Sequence, residues 1–316
     1  MSSGKKIKEI LFCDYYDEWV ETYKEGSISD ITLQKYLMVG KNLREMVPKL
    51  LISELDRRAY QKILNEYAVT HEKQTTTDFH HQVKACIKDM FHDGLIERDP
   101  TYKAVIKGKA PGKKKQKYLQ TDELKKLTLS LNLNSGINRD WLILIIAKTG
   151  LRFAEALALT PSDFDFGNQL LNIDKTWNYK NTKGFFQPTK TKNSVRKIQI
   201  DWQIIGQFQP LLNGLPIDEP IFIEKDEKNN YKRVFNSTYK GCLASKCKEL
   251  EIPVISIHSL RHTHASILLA AGVSINSISD RLGHADVGVT QETYAHVLNE
   301  LKIADNQKMM SILMQF

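Results

Sequence analysis

Cysteine is scarce: the chain has four, at positions 13, 86, 242 and 247. That is neither the number nor the pattern of a secreted disulfide scaffold. Cys242 and Cys247 have no second cysteine or histidine pair nearby, so a zinc site is not expected there. Free thiols in a reducing compartment are the expectation. Long apolar runs are missing as well, and the stretch 7–12 behind the basic N-terminus is too short and interrupted for a signal sequence. The expected protein is therefore cytoplasmic and makes no use of a membrane. Carboxylates do not cluster at ligand spacing, so neither a metal nor a cofactor is expected. Acidic residues are outnumbered, 37 against 45 basic ones, and the formal charge of +8 suits a polyanionic partner. Charge alone does not separate nucleic acid from an acidic membrane surface. No internal repeat is apparent.

What is present supports a folded protein. With 41% apolar residues among 316, the chain is long enough for two domains of ordinary size. A short tail, 1–9, precedes a pattern that is helical to about Gly94. Phe12, Tyr15, Tyr16 and Trp19 recur at helical spacing and read as core rather than as a stacking platform. Ser29 and Asp30 supply N-cap candidates before Leu33, Tyr36, Leu37 and Leu43. Further helices at 53–69 and 75–91 would complete a small all-α domain over 10–106.

A basic linker, 107–118, follows. Between Lys107 and Lys117 lie six lysines (Lys107, Lys109, Lys113, Lys114, Lys115 and Lys117), two glycines, one proline and no acidic residue. Such a stretch cannot bury itself and is expected to be exposed. A solvated tether is the plain account. A DNA-binding account has the linker run along phosphates, each lysine neutralising one. About ten extended residues span roughly 33 Å, enough to join domains on opposite faces of a duplex.

The second domain, 119–300, opens at Thr121 with Asp122 and Glu123 in the first turn. An almost wholly apolar helix at 141–149 ends at Gly150. Short strands are expected at 169–177, 185–188 and 195–200, where Ile198 and Ile200 alternate with Lys197 and Gln199. Helices resume near Asn236, at 259–271 before Gly272, at 275–282 before Gly283, and at 291–300 behind Thr290. The fold class is mainly α with a small β-sheet: a helical domain followed by a mixed α/β domain. A tail, 301–316, carries Ile303, Met309, Met310, Ile312, Leu313 and Phe316.

The residues able to do chemistry lie in this second domain. They are Arg152 after Thr149-Gly150-Leu151, the pair Lys190 and Lys192, His258 with Arg261, His284 after Leu282-Gly283, and Tyr294. Cleaving a phosphodiester requires charge held on the non-bridging oxygens, a nucleophile, and a proton for the departing 5′ oxygen. Without clustered carboxylates for a metal, guanidinium groups must hold that charge, and their planar fork matches phosphate. A phenol, with a pKa of about 10, is a poor nucleophile unless positive groups favour the phenolate or a base takes its proton. Each residue also has a plain structural account. Arg152 can pair with Glu155, His284 can cap a helix, and Tyr294 can be half-buried core. His258 and His262 at i, i+4 can form a zinc pair, though without the adjacent glutamate of a metalloprotease.

Together and in order, the motifs resemble the catalytic series of the tyrosine recombinases, the phage and conjugative-transposon integrase family. Thr149-Gly150-Leu151-Arg152-Phe153-Ala154-Glu155 is similar to the first-arginine box, with Ala154 where serine or glycine is common. Ile257-His258-Ser259-Leu260-Arg261-His262-Thr263-His264 resembles the second-arginine box. Asp280-Arg281-Leu282-Gly283-His284 resembles the second-histidine box, and Gln291-Glu292-Thr293-Tyr294-Ala295-His296 the nucleophile box. Lys190-Thr191 resembles the family's lysine-threonine pair, with Lys192 as the alternative. The likeness covers roughly residues 10 to 300 and is densest after Tyr118.

The resemblance implies a helical core-site DNA-binding domain and a tyrosine-recombinase catalytic domain clamping double-stranded DNA. Tyr294 would form a 3′-phosphotyrosyl bond while Lys190 protonates the 5′ oxygen. Arg152, Arg261 and His284 would hold transition-state charge, with His258 bonding the phosphate or orienting its neighbours. A homotetramer would exchange strands between two sites through a Holliday junction, integrating or excising a mobile element without ATP. DNA-bending accessory proteins or an excisionase are further expected partners, and the tail 301–316 is expected to dock on a neighbouring protomer. The alternatives are a chromosome-dimer resolvase, a type IB topoisomerase-like enzyme, or a catalytically silent DNA-binding regulator. Many such integrases begin with a small arm-type DNA-binding domain, whereas about nine residues precede the first helix here.

Overall fold

The computed structural model describes residues 9–112, 118–134, 136–189, 191–295, 297, 298, 306 and 309–314. The chain divides into two compact units, Met1–Lys114 and Lys115–Phe316. No helix among the described residues is long and apolar enough to cross a membrane.

The first unit is built from α1 (Phe12–Tyr23), α2 (Asp30–Met46), α3 (Arg57–Thr70) and α4 (Lys73–His92). Phe12, Tyr16, Trp19 and Val20 fall on one face of α1 and are buried with Leu43, Tyr60, Phe79, Val83 and Ile87. The aromatics are core, as their spacing predicts. Their polar atoms still find partners: the Trp19 indole N–H donates to Asp89 at 2.8 Å, and the Tyr60 hydroxyl lies 2.7 Å from His80 Nδ1. The start of α3 is fixed by Asp56, whose carboxylate accepts from the Ala59 N–H at 2.7 Å.

Residues 107–112 do not form a free tether. The Lys109 N–H donates to the His71 carbonyl at 2.8 Å, and the Gly112 N–H to Glu72 Oε1 at 3.3 Å. Gly108 makes the approach feasible, because a Cβ there would lie 2.2 Å from the Lys73 backbone nitrogen. Lys107 and Lys109 nevertheless keep exposed side chains. Lys113, Lys114, Lys115 and Lys117 lie outside the described residues.

The second unit contains α5 (Thr121–Leu129), α6 (Arg139–Thr149), α7 (Phe153–Leu157), β1 (Phe164–Asp165), β2 (Leu170–Ile173), β3 (Lys175–Trp177), β4 (Phe186–Pro188) and β5 (Arg196–Gln199). Then come α8 (Trp202–Leu212), α9 (Asn236–Glu249), α10 (Ile257–Ala270), α11 (Ile275–Leu282) and α12 (Val287–Thr293). Helix α6 is apolar on nearly all sides, buries Trp141, Leu142, Ile143, Leu144, Ile145, Ile146 and Ala147, and forms the centre of the core. β1, β2 and β5 make an antiparallel sheet, while β3 and β4 pair separately. The stretch expected as one strand at 169–177 is therefore two. It leaves one sheet for the other at Asp174, since Ile173 pairs with Arg196 whereas Lys175 pairs with Pro188.

Two further differences bear on the site. Helix α8 occupies a segment to which the sequence assigned nothing, with Asp201 accepting from the Gln203 and Ile204 N–H groups. The helix expected at 291–300 begins at Val287 behind Asp286, not at Gln291 behind Thr290. Thr290 is instead fully buried inside α12, and Tyr294 is the residue at its C-cap.

Candidate active site

Helix ends bring the candidate residues together. Gly150 and Gly283 terminate α6 and α11 in the left-handed conformation, at φ 72° and 68°. That geometry turns the last carbonyls of each helix out of the helical ladder, where they need donors. Two arginines supply them. Arg261, from α10, donates through Nη1 to the Gly150 carbonyl at 2.8 Å and through Nη2 to the Leu282 carbonyl at 2.6 Å. Arg152, the N-cap of α7, donates through Nη2 to the Gly283 carbonyl at 3.1 Å. Neither glycine tolerates a larger residue: a Cβ on Gly150 would meet His264 at 2.8 Å, and one on Gly283 would meet Arg196 at 2.9 Å.

Glu155 holds the first arginine from beneath. Its side chain is 1% exposed, and it accepts from Arg152 Nη1 at 2.7 Å and from Arg196 Nη2 at 3.0 Å. Burial alone would raise this carboxyl, but Arg196 first and then Arg152 outweigh it and hold it below the ordinary range. Arg196 continues the lattice, donating through Nε to the Arg281 carbonyl at 2.7 Å and through Nη1 to the Ser194 carbonyl at 2.8 Å. The turn 192–194 is thereby tied to the end of α11. Lys192 is exposed in that turn, between β4 and β5, which belong to different sheets. Lys190 lies outside the described residues.

The histidines occupy the same neighbourhood. His284 follows the Gly283 cap and shares a 2.7 Å hydrogen bond with Thr290 Oγ1. Burial lowers its pKa to about 4, and Arg261, Arg152 and Arg196 add to the effect. It is a neutral imidazole at physiological pH. His258 stands one turn before His262 on α10, the two rings 4.9 Å apart and edge-on. Desolvation of its ring, then Arg261 and Arg152, push His258 below the usual histidine value as well. Burial pushes Arg261 down to about 9, with Arg152 adding to the effect, so it remains charged at neutral pH.

Tyr294 is 2% exposed and packs with Ala265, Leu269, Ile278, Leu282 and Val297. Its hydroxyl lies 3.1 Å from His262 Nδ1. The sequence left open whether positive neighbours favour the phenolate or a base takes its proton. Burial dominates: it pushes the phenol up to about 12, with Arg261 only partly opposing. Tyr294 is thus packed as core, with its hydroxyl on a histidine.

Several contributors escaped the sequence reading. His262 was weighed only as a metal ligand. Arg196 and Thr290 carried no chemical role, although both make direct contacts to site residues. His264, 9% exposed, was likewise unassigned; it accepts at Nε2 from Arg281 Nε at 2.9 Å, while its Nδ1 lies 3.2 Å from the Ala147 carbonyl. That pair of contacts requires a neutral ring, and burial lowers its pKa to about 3. It braces α11 against the end of α6 and so fixes both glycine caps. Among the described residues no cluster of three or more metal-binding side chains occurs.

This geometry can hold an anion between two anchored guanidinium groups, beside neutral imidazoles and a protonated phenol. The chain is similar to several known proteins. The transposase of transposon Tn916 from Enterococcus faecalis is 27% identical over 252 residues, covering 75% of this chain and 62% of the transposase. The chain thus spans less than two thirds of the length of that relative. The integrase of Staphylococcus phage L54a is 25% identical over 97% of this chain and 94% of its own length. Among solved structures, the integrase of transposon Tn1549 in complex with transposon right end DNA shares the fold. Its TM-score is 0.76, at 18% identity, over 95% of this chain and 100% of that one. The family model described as the phage integrase family matches residues 117–300, and with more than half its length in that match, the chain belongs to the phage integrase family.

Proposed function

We propose that this protein is a tyrosine site-specific recombinase that integrates or excises a mobile DNA element. The observation that carries the reading is the convergence of Arg152 and Arg261 on the caps of α6 and α11, with His284 beside them and Tyr294 on the adjoining helix end. Arginines fixed by backbone carbonyls are preorganised for a phosphate and need no reorganisation when charge develops on it. In this reading Tyr294 Oη attacks the scissile phosphorus and the bond from phosphorus to the 5′ oxygen breaks. A 3′-phosphotyrosyl link results, and the 5′ oxygen takes a proton from Lys190, or from Lys192 in its place. Arg152, Arg261 and His284 stabilise the transition state, and His258 bonds the phosphate or orients its neighbours. Attack by the 5′ hydroxyl of a partner strand reverses each step, so the bond energy is retained without a nucleotide cofactor.

The first unit is the core-site DNA-binding domain, and Lys107, Lys109, Lys113, Lys114, Lys115 and Lys117 follow the phosphate backbone. Four protomers hold two duplexes and pass through a Holliday junction, with DNA-bending proteins or an excisionase as accessory partners. The tail supports assembly of that kind: Met309, Met310, Ile312, Leu313 and Met314 are all exposed, and docking on a neighbouring protomer would cover them.

The test is a nicked duplex on which cleavage is trapped. Tyr294→Phe removes one oxygen and leaves the packing, so DNA binding should persist while the denaturation-resistant protein–DNA adduct disappears. An undiminished adduct would remove Tyr294 from the role.

A further inference from the structure

Tyr294 does not meet the histidine that the motif order singles out. Its hydroxyl is in hydrogen-bond contact with His262, one turn further along α10 than His258, at 3.1 Å from Nδ1. The two rings lie 5.8 Å apart at 63°, so the imidazole edge addresses the phenol oxygen rather than stacking on it. The contact is long-range in sequence, joining the middle of α10 to the C-cap of α12.

We infer that His262 is the general base that takes the proton of Tyr294 during strand cleavage, and returns it when the strand is rejoined. This rests on Tyr294 being the nucleophile. The phenol is protonated in the resting protein, because burial raises it, so a proton must leave Oη as the bond to phosphorus forms. A neutral imidazole is too weak a base to hold the proton of an unreacted phenol. As the new bond drains electron density from Oη, the phenol becomes acidic and the transfer becomes downhill. The balance is complete: Oη bonds to phosphorus, its proton moves to His262 Nδ1, and the 5′ oxygen leaves with the proton of the general acid. In rejoining, the 5′ hydroxyl attacks and returns its proton to the general acid, while Oη departs and recovers its own from His262.

Charged and titratable groups surround the base. Arg261 and His258 lie on the same helix, and His284, after α11, is close enough to feel the charge of His262. The charge His262 gains during cleavage is matched by the negative charge that builds on the non-bridging phosphate oxygens.

The probe is a duplex first captured covalently by the wild-type chain from a randomised library, then rebuilt with a nick so that cleavage is trapped. Single-turnover adduct formation is measured for wild type, His262→Ala, His262→Gln and Tyr294→Phe at matched DNA occupancy. His262→Ala should slow cleavage by on the order of 10²–10⁴-fold, and added imidazole should restore part of the lost rate. The wild-type rate should fall toward acid within about pH 5–8, where histidines titrate, and this limb should vanish in His262→Gln, which keeps an acceptor but no base. A limb that survives in His262→Gln belongs to His258 or His284 and overturns the assignment. So does wild-type cleavage by either variant while Tyr294→Phe forms no adduct. An adduct from Tyr294→Phe overturns the nucleophile itself. If His262→Ala binds poorly, His262→Gln decides: folded, bound and slow supports the base, whereas folded, bound and fast excludes it.

Discussion

Replacing the Glu155 carboxylate by an amide of the same shape separates its charge from its packing. The carboxylate lies within hydrogen-bonding distance of Arg152 and Arg196, themselves close to Arg261. Glu155→Gln leaves that cluster without its buried counter-charge, and breaking such a pair typically costs about 3–5 kcal/mol. Denaturant titration of the variant should show a loss of that order, and cleavage should fall further than binding because Arg152 loses its orientation. A change below about 0.5 kcal/mol, typical of exposed pairs, would mean that the lattice tolerates the naked arginines. The pairing of Arg152 with Glu155 was legible in the sequence from the three-residue spacing. That Arg196 shares the same carboxylate was not, because forty-one positions separate the partners and only the fold closes that distance. The contact of His262 with Tyr294 was hidden for the same reason, and the raised phenol could not be read at all, since burial is a property of packing.

Elements whose boundaries are set by their own residues were read well. The apolar run at 141–149 with Gly150, and 275–282 with Gly283, match α6 and α11 because a left-handed cap is a local requirement. Elements set by distant partners were not. The stretch 169–177 looks continuous by alternation, yet its halves pair with different strands. Helix α8 did leave a local signal, Asp201 before Ile204, Phe208 and Leu212 on one face, but Pro210 within it obscured the period. The basic segment shows both cases: its exposure was expected, its attachment over 107–112 to the start of α4 was not. A prediction follows for the lysines beyond that attachment. Substituting Lys113, Lys114 and Lys115 by glutamine should weaken binding to all duplexes alike and flatten the plot of log affinity against log salt by up to about three, if each contacts one phosphate. An unchanged slope would leave these lysines as solvating groups only.

Each unit of the whole molecule carries a buried histidine held neutral. His80 in the first is pushed down to about 4, by burial and then by Lys84, and His264 in the second to about 3, by burial and then by Arg281. In both, the unfolded chain binds the proton first as pH falls through the ordinary histidine value. Between there and the lowered values, the unfolded state holds more protons, so stability drops with falling pH. Calorimetry from pH 7 to about 4.5 should therefore show both units losing stability, and His264→Gln should flatten the dependence of the second alone. An unchanged melting temperature across that range would contradict neutral burial of these rings. The arginine lattice has another consequence for the resting molecule. Among the described residues Arg152, Arg196 and Arg261 share a single neutralising carboxylate, so the second unit stores mutual repulsion whenever no anion is bound. Any compact polyvalent anion that reaches this cluster should relieve it. Sulfate or inorganic phosphate, compared with chloride at constant ionic strength, should raise the melting temperature of the second unit more than that of the first. Recombinant protein kept in such salts should on this account outlast the same protein kept in chloride.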